Sequence, residues 1–66
     1  MKKRDLIRRI RRLARQHDTE ALLVRQGKHE IWECDGFMFP IPRHNEIAER
    51  TAAAILDRLQ QHLESR

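Results

Sequence analysis

Cysteine occurs once in this chain, as Cys34, so no internal disulfide framework is available and the composition fits a reducing interior. Serine also occurs once, as Ser65 near the C-terminus, which removes a serine-centred nucleophilic triad from consideration. The two glycines, Gly27 and Gly36, are too few and too far apart for a glycine-rich loop that cradles phosphate. The longest unbroken apolar run is Ala52 to Leu56, far short of the roughly 20 residues a membrane helix needs. Nor does the basic start lead into the apolar stretch of a signal peptide. Four histidines are present, but their spacing matches no compact zinc pattern and the lone cysteine forms no CxxC pair, so no metal site is expected. A chain of 66 residues buries only about 60% of its unfolded surface. Residues 1–66 are therefore expected to form a single domain whose site lies on the surface or in a shallow groove. The expectation is a cytoplasmic, one-domain protein with no membrane association and no small-molecule cofactor.

What is present is charge, and it is unevenly placed. Residues 1–16 hold eight Lys and Arg against the single acid Asp5, while residues 17–66 hold six against nine acids. The basicity of the chain thus belongs to one segment. Such asymmetry suggests attraction to nucleic acid or to an acidic protein surface; a solvated helix face is the alternative.

Periodicity gives the element order helix, three strands, helix. Leu6, Ile7, Ile10, Leu13 and Ala14 recur at three-to-four spacing, with Arg4, Arg8, Arg11 and Arg15 on the opposite face. His17, Asp18 and Thr19 break that pattern. Ala21 to Arg25 reads as a first strand, Gln26-Gly27-Lys28 as a turn and His29 to Cys34 as a second strand. Asp35-Gly36 is the clearest turn signal, and Phe37 to Ile41 forms a third strand that Pro40 and Pro42 shorten or confine to an edge. Arg43 to Ala48 is a polar connector. From about Glu49 a second helix places Ala52, Ile55, Leu56, Leu59 and Leu63 on one face, with Asn45 as a possible earlier cap. Two apolar helix stripes and three short strands predict an α+β domain, with both helices on one face of a three-stranded antiparallel sheet.

Alternation separates the two faces of the second strand. Glu30, Trp32 and Cys34 point one way, and His29, Ile31 and Glu33 the other. Trp32 is the largest apolar group in the chain, so its face is expected beneath the helices, with Cys34 in the core and the Glu30 carboxylate reaching water at the strand's start. His29 then faces solvent beside Lys28. Histidine suits proton exchange near neutral pH, and Lys28 or Arg25 would hold a phosphate and stabilise its developing charge. RNA fits this minimal site, because its 2′-hydroxyl is an internal nucleophile and no metal-activated water is required.

The run Leu23-Val24-Arg25-Gln26-Gly27-Lys28-His29-Glu30-Ile31-Trp32, followed after a turn by Phe39-Pro40-Ile41-Pro42, resembles the HicA family of bacterial toxins. Asp5-Leu6-Ile7-Arg8 and Thr51-Ala52-Ala53-Ala54-Ile55-Leu56 fit the same pattern in order and spacing, so the likeness covers nearly the whole chain. It implies a double-stranded-RNA-binding-like α-β-β-β-α fold. It also implies a metal-independent ribonuclease that cleaves mRNA as the toxin of a type II toxin–antitoxin system. A HicB-like antitoxin would cover the His29 face. On this resemblance the catalytic histidine is His29 and the hairpin glycine is Gly27; by the residues themselves, Lys28, Arg25 and Arg43 are expected to gather RNA phosphates. The chain departs from the family where a serine is common (here Lys28), where a second histidine often follows the first (here Glu30), and between the two prolines (here Ile41). A second proton-transfer group would come from His44 or Glu33. The alternatives are a non-catalytic RNA-binding module of the same fold and an interaction protein that uses Ile31 and the sheet face.

Overall fold

Leu6, Ile10 and Ala14 lie three to four residues apart and are fully withdrawn from solvent in the computed structural model, which describes residues 1–66. They make Lys3–Gln16 an amphipathic helix, α1. It ends in a Schellman arrangement: Thr19 N–H donates to Ala14 O at 3.0 Å, Asp18 N–H to Arg15 O at 3.2 Å, and Asp18 takes the left-handed conformation at φ 59°.

Three strands follow, β1 (Ala21–Gln26), β2 (His29–Cys34) and β3 (Phe37–Pro42), in the antiparallel order β1-β2-β3. The first strand extends through Gln26 and the third through Pro42, one residue beyond the sequence expectation in each case. A bulge between Leu23 and Arg25 shifts the β1–β2 register. Asp35 and Gly36 both have positive φ, 53° and 81°, which is the two-residue type I′ turn whose twist suits a hairpin. That turn makes Cys34 and Phe37 a hydrogen-bonded pair, so Phe39 and Ile41 continue the ladder opposite Trp32 and Glu30. Met38, Pro40 and Pro42 then turn their backbone toward the free edge of β3. Two of those three positions have no N–H to offer an added strand, so the prolines blunt this edge.

The connector is tied down by a bridge between Lys2 and Glu46 and by Ile47 N–H donating to Met1 O at 2.7 Å. Asn45 is not a helix cap; its backbone carbonyl accepts the Lys3 N–H at 2.8 Å. The second helix, α2 (Glu49–Glu64), starts after Ala48 with no side-chain cap. No helix is long and apolar enough to cross a membrane.

Both helices pack on one face of the sheet. Trp32, Cys34, Phe39 and Ile41 from the strands meet Leu6, Ile10 and Ala14 of α1 and Ala52, Leu59 and Leu63 of α2. Cys34 lies in this core, where burial pushes its thiol pKa up and makes the reactive thiolate scarce. Glu30 corrects the sequence expectation. Its carboxylate does not run out to water: it accepts from Lys3 Nζ at 2.5 Å and from Trp32 Nε1 at 3.1 Å, with about an eighth of the side chain exposed (12%). A charged group on the core face is tolerated because both oxygens are satisfied.

Candidate active site

The uncovered face of the sheet carries His29. It is the first residue of β2, is exposed, and lies opposite Pro42 in the register. The β1–β2 hairpin that presents it closes with Gly27 N–H donating to the His29 carbonyl at 3.2 Å. Gly27 is not required by the backbone: its φ is outside the left-handed region, and a Cβ built there meets nothing within 4 Å. A side chain at Gly27 would thus project into open space at the tip of the hairpin.

The three cations expected around His29 are arranged in two ways. Arg25 and Lys28 are exposed, Arg25 on the same open face opposite Ile31 and Lys28 in the turn. Arg43 Nη1 donates to the Gly27 carbonyl at 2.9 Å, which ties the β3–α2 connector to the hairpin and holds a second positive charge beside it. Glu30, the carboxylate next in sequence, faces the other side of the sheet and is neutralised by Lys3. The turn end of the hairpin, where His29 sits, thus carries Arg25 and Lys28 with Arg43 tied to it, and the only acid on the hairpin's open face, Glu33, lies toward the other end of β2.

The two candidate second proton donors differ in place. Glu33 shares the open face, but four residues along β2 put it about 13 Å from His29, too far to share one phosphodiester. His44 follows Arg43 in the connector and is exposed. Ile31, read as part of a binding patch, is half-buried between Arg25 and Pro40, while Leu22 and Met38 on the same face are exposed by 56% and 53%. His62 is occupied elsewhere: its ring stacks on Phe37 at 5.2 Å and its Nε2 lies 2.8 Å from the Asp35 carbonyl. No three His, Cys, Asp or Glu side chains come together as a ligand set.

Two arginines absent from the sequence expectation join this site. A groove of about 550 Å³ follows the outer edge of β3 and has His29 on its lining. Met38, Pro40 and Pro42 form one bank, and Arg50 and Arg58 of α2 form the other. The available signal was the i, i+8 placement of Arg50 and Arg58 on one flank of the second helix, which its apolar stripe overshadowed.

A second groove, of about 540 Å³, lies on the helix layer. Arg4, Arg8, Arg11, Arg12 and Arg15 line it with no acid among them, and Arg11 sits over the Trp32 ring at 5.5 Å.

The chain matches no family model, no curated protein and no solved structure.

Proposed function

We propose that this protein is a metal-independent endoribonuclease of the HicA kind, the toxin of a type II toxin–antitoxin pair, with His29 as its general acid–base group. The observation that carries this reading is an exposed histidine on the open sheet face at the end of a hairpin that also carries exposed Arg25 and Lys28, with Arg43 held on the Gly27 carbonyl of the same turn. The α-β-β-β-α order is the one the HicA resemblance requires.

RNA brings its own nucleophile. His29 removes the proton from a 2′-hydroxyl, the 2′-oxygen attacks the adjacent phosphorus, and the bond from phosphorus to the 5′-oxygen breaks. The departing oxygen takes up a proton from water, leaving a 2′,3′-cyclic phosphate and a 5′-hydroxyl, and the proton on His29 is returned to solvent. Lys28, Arg25 and Arg43 offset the charge that builds on the non-bridging oxygens. Leu22, Ile31 and Met38 give the same face an apolar component suited to a covering HicB-like antitoxin, which would exclude RNA.

One observation favours a second reading, a non-catalytic RNA-binding module. The His29 imidazole has no hydrogen-bonded side chain to orient it, and Glu33 is out of reach. The test is RNA cleavage in EDTA by wild type and His29→Ala, with both checked for folding by circular dichroism. Cleavage by wild type and its loss in the folded variant are expected, with cyclic-phosphate ends. Equal cleavage by both excludes His29, ordinary 3′-hydroxyl ends exclude the 2′-hydroxyl route, and saturable binding without cleavage selects the module.

A further inference from the structure

We propose that the groove between β3 and α2 is a subsite for single-stranded RNA flanking the scissile phosphate, with Arg50 and Arg58 as its phosphate contacts. The inference rests on His29 marking the reaction centre, because His29 forms part of the groove's own lining.

Charge complementarity comes first. Neither Arg50 nor Arg58 takes part in any ion pair or side-chain hydrogen bond of the protein, and no acidic residue lines the groove. Two uncompensated guanidinium groups on one bank, eight residues apart on α2, are separated by about 12 Å along the helix axis. They mark a track for a polyanion rather than a pocket for one small anion. The opposite bank is apolar and exposed at Met38 and Pro40, a surface on which a base packs without sequence-specific hydrogen bonds. The size, about 550 Å³, falls in the range of a ligand site and the groove is open along its length.

The edge chemistry argues against an added peptide strand. Strand addition draws its affinity from a main-chain ladder. Pro40 and Pro42 remove two of the three outward N–H groups of β3. A nucleic-acid strand needs no such ladder; it needs the cations and the apolar bank that are present.

The test uses the full chain and a short single-stranded RNA, together with its 2′-O-methyl analogue, which binds without being cut. Affinity for the analogue is measured for wild type, His29→Ala, and the double variant Arg50→Gln/Arg58→Gln. The double variant is expected to lose about tenfold or more in Kd. Its salt slope should flatten by about 1.4, at about 0.7 per phosphate contact on a single strand. KM for the cleavable RNA should rise more than kcat falls. The Met38 methyl resonance should shift on adding the analogue. His29→Ala should lose cleavage while its salt slope, set by Arg50 and Arg58, stays at the wild-type value, which separates the subsite from the reaction centre. If wild type binds through the two arginines but never cleaves, the nuclease reading fails and the subsite stands. Unchanged Kd, slope and KM in a folded double variant overturn the subsite and leave the groove to a protein partner.

Discussion

The two glycines of this chain do different work. Gly36 sits at φ 81°, where a side chain strains the backbone, so its identity is explained by the turn alone. Gly27 has no such requirement, and open space lies where its Cβ would be. Gly27→Ala is therefore expected to fold and to gain about 0.4–1 kcal/mol from the stiffer unfolded chain. If the proposed nuclease is correct, cleavage by the same variant should stay near the wild-type rate, because the added methyl meets no other residue. Thermal unfolding and the cleavage rate, measured on one sample, check both halves. A destabilised variant would show that the glycine serves the hairpin instead. At this scale the hairpin residues were legible in advance: strict alternation put His29 and Trp32 on opposite faces, and a Gly-Lys turn had to be exposed. Lys3 was not legible. By sequence it belongs to the basic segment, yet it turns inward to Glu30, a partner 27 residues away that only the tertiary arrangement identifies.

That pair is an interaction between elements, since it pins the first turn of α1 to the start of β2. The hydrogen bond from Lys3 lowers the Glu30 carboxyl pKa below its ordinary value of 4.5, helped by the Trp32 N–H and by the positive charges of Lys3 and Arg43, and opposed by burial. A carboxylate depressed in the folded state stabilises the fold above its unfolded pKa, and that stabilisation is lost as pH falls through the folded value. Glu30→Gln should cost about 1–3 kcal/mol at pH 7, and the gap from wild type should close as the pH drops below about 4.5. Thermal melts at stepped pH check this; a gap independent of pH would mean that the pair contributes packing rather than charge. The elements themselves were nearly all readable. Asp35-Gly36 and Gly27-Lys28 bound β2 on both sides, and the helix stripes repeat at the helical period. What could not be read was the groove, because it is built from residues of β3 and α2 that share no local pattern.

Over the whole molecule, the arginine row of α1 and the face that carries His29 lie on opposite sides of the sheet. The helices cover one face of the sheet and His29 lies on the other, across a domain whose shortest extent is 15 Å. The exposed arginines of α1 therefore lie away from the proposed reaction centre at His29. Arg11 is partly committed to the Trp32 ring, whereas Arg4, Arg8 and Arg12 form an exposed row at i, i+4 and i+8, with Arg8 also paired to Asp5 at 3.5 Å. A short RNA confined to the β3–α2 groove stays clear of this row. A longer RNA has to wrap round the domain to reach it, and each phosphate so neutralised releases counterions. Replacing Arg4, Arg8 and Arg12 by Gln should thus leave cleavage of a short oligonucleotide close to the wild-type rate. For a long RNA the magnitude of the slope of log affinity against log salt should drop by about 2, at about 0.7 per phosphate contact. Leaving Arg11 in place keeps the cation over Trp32 and protects the core from the substitutions. An unchanged slope with slower capture by an acidic protein partner at low salt would give the row to that partner, since steering acts on the association rate. An unchanged slope and an unchanged association rate would reduce the row to a solvated helix face, with all RNA contact confined to the side of the sheet that holds His29.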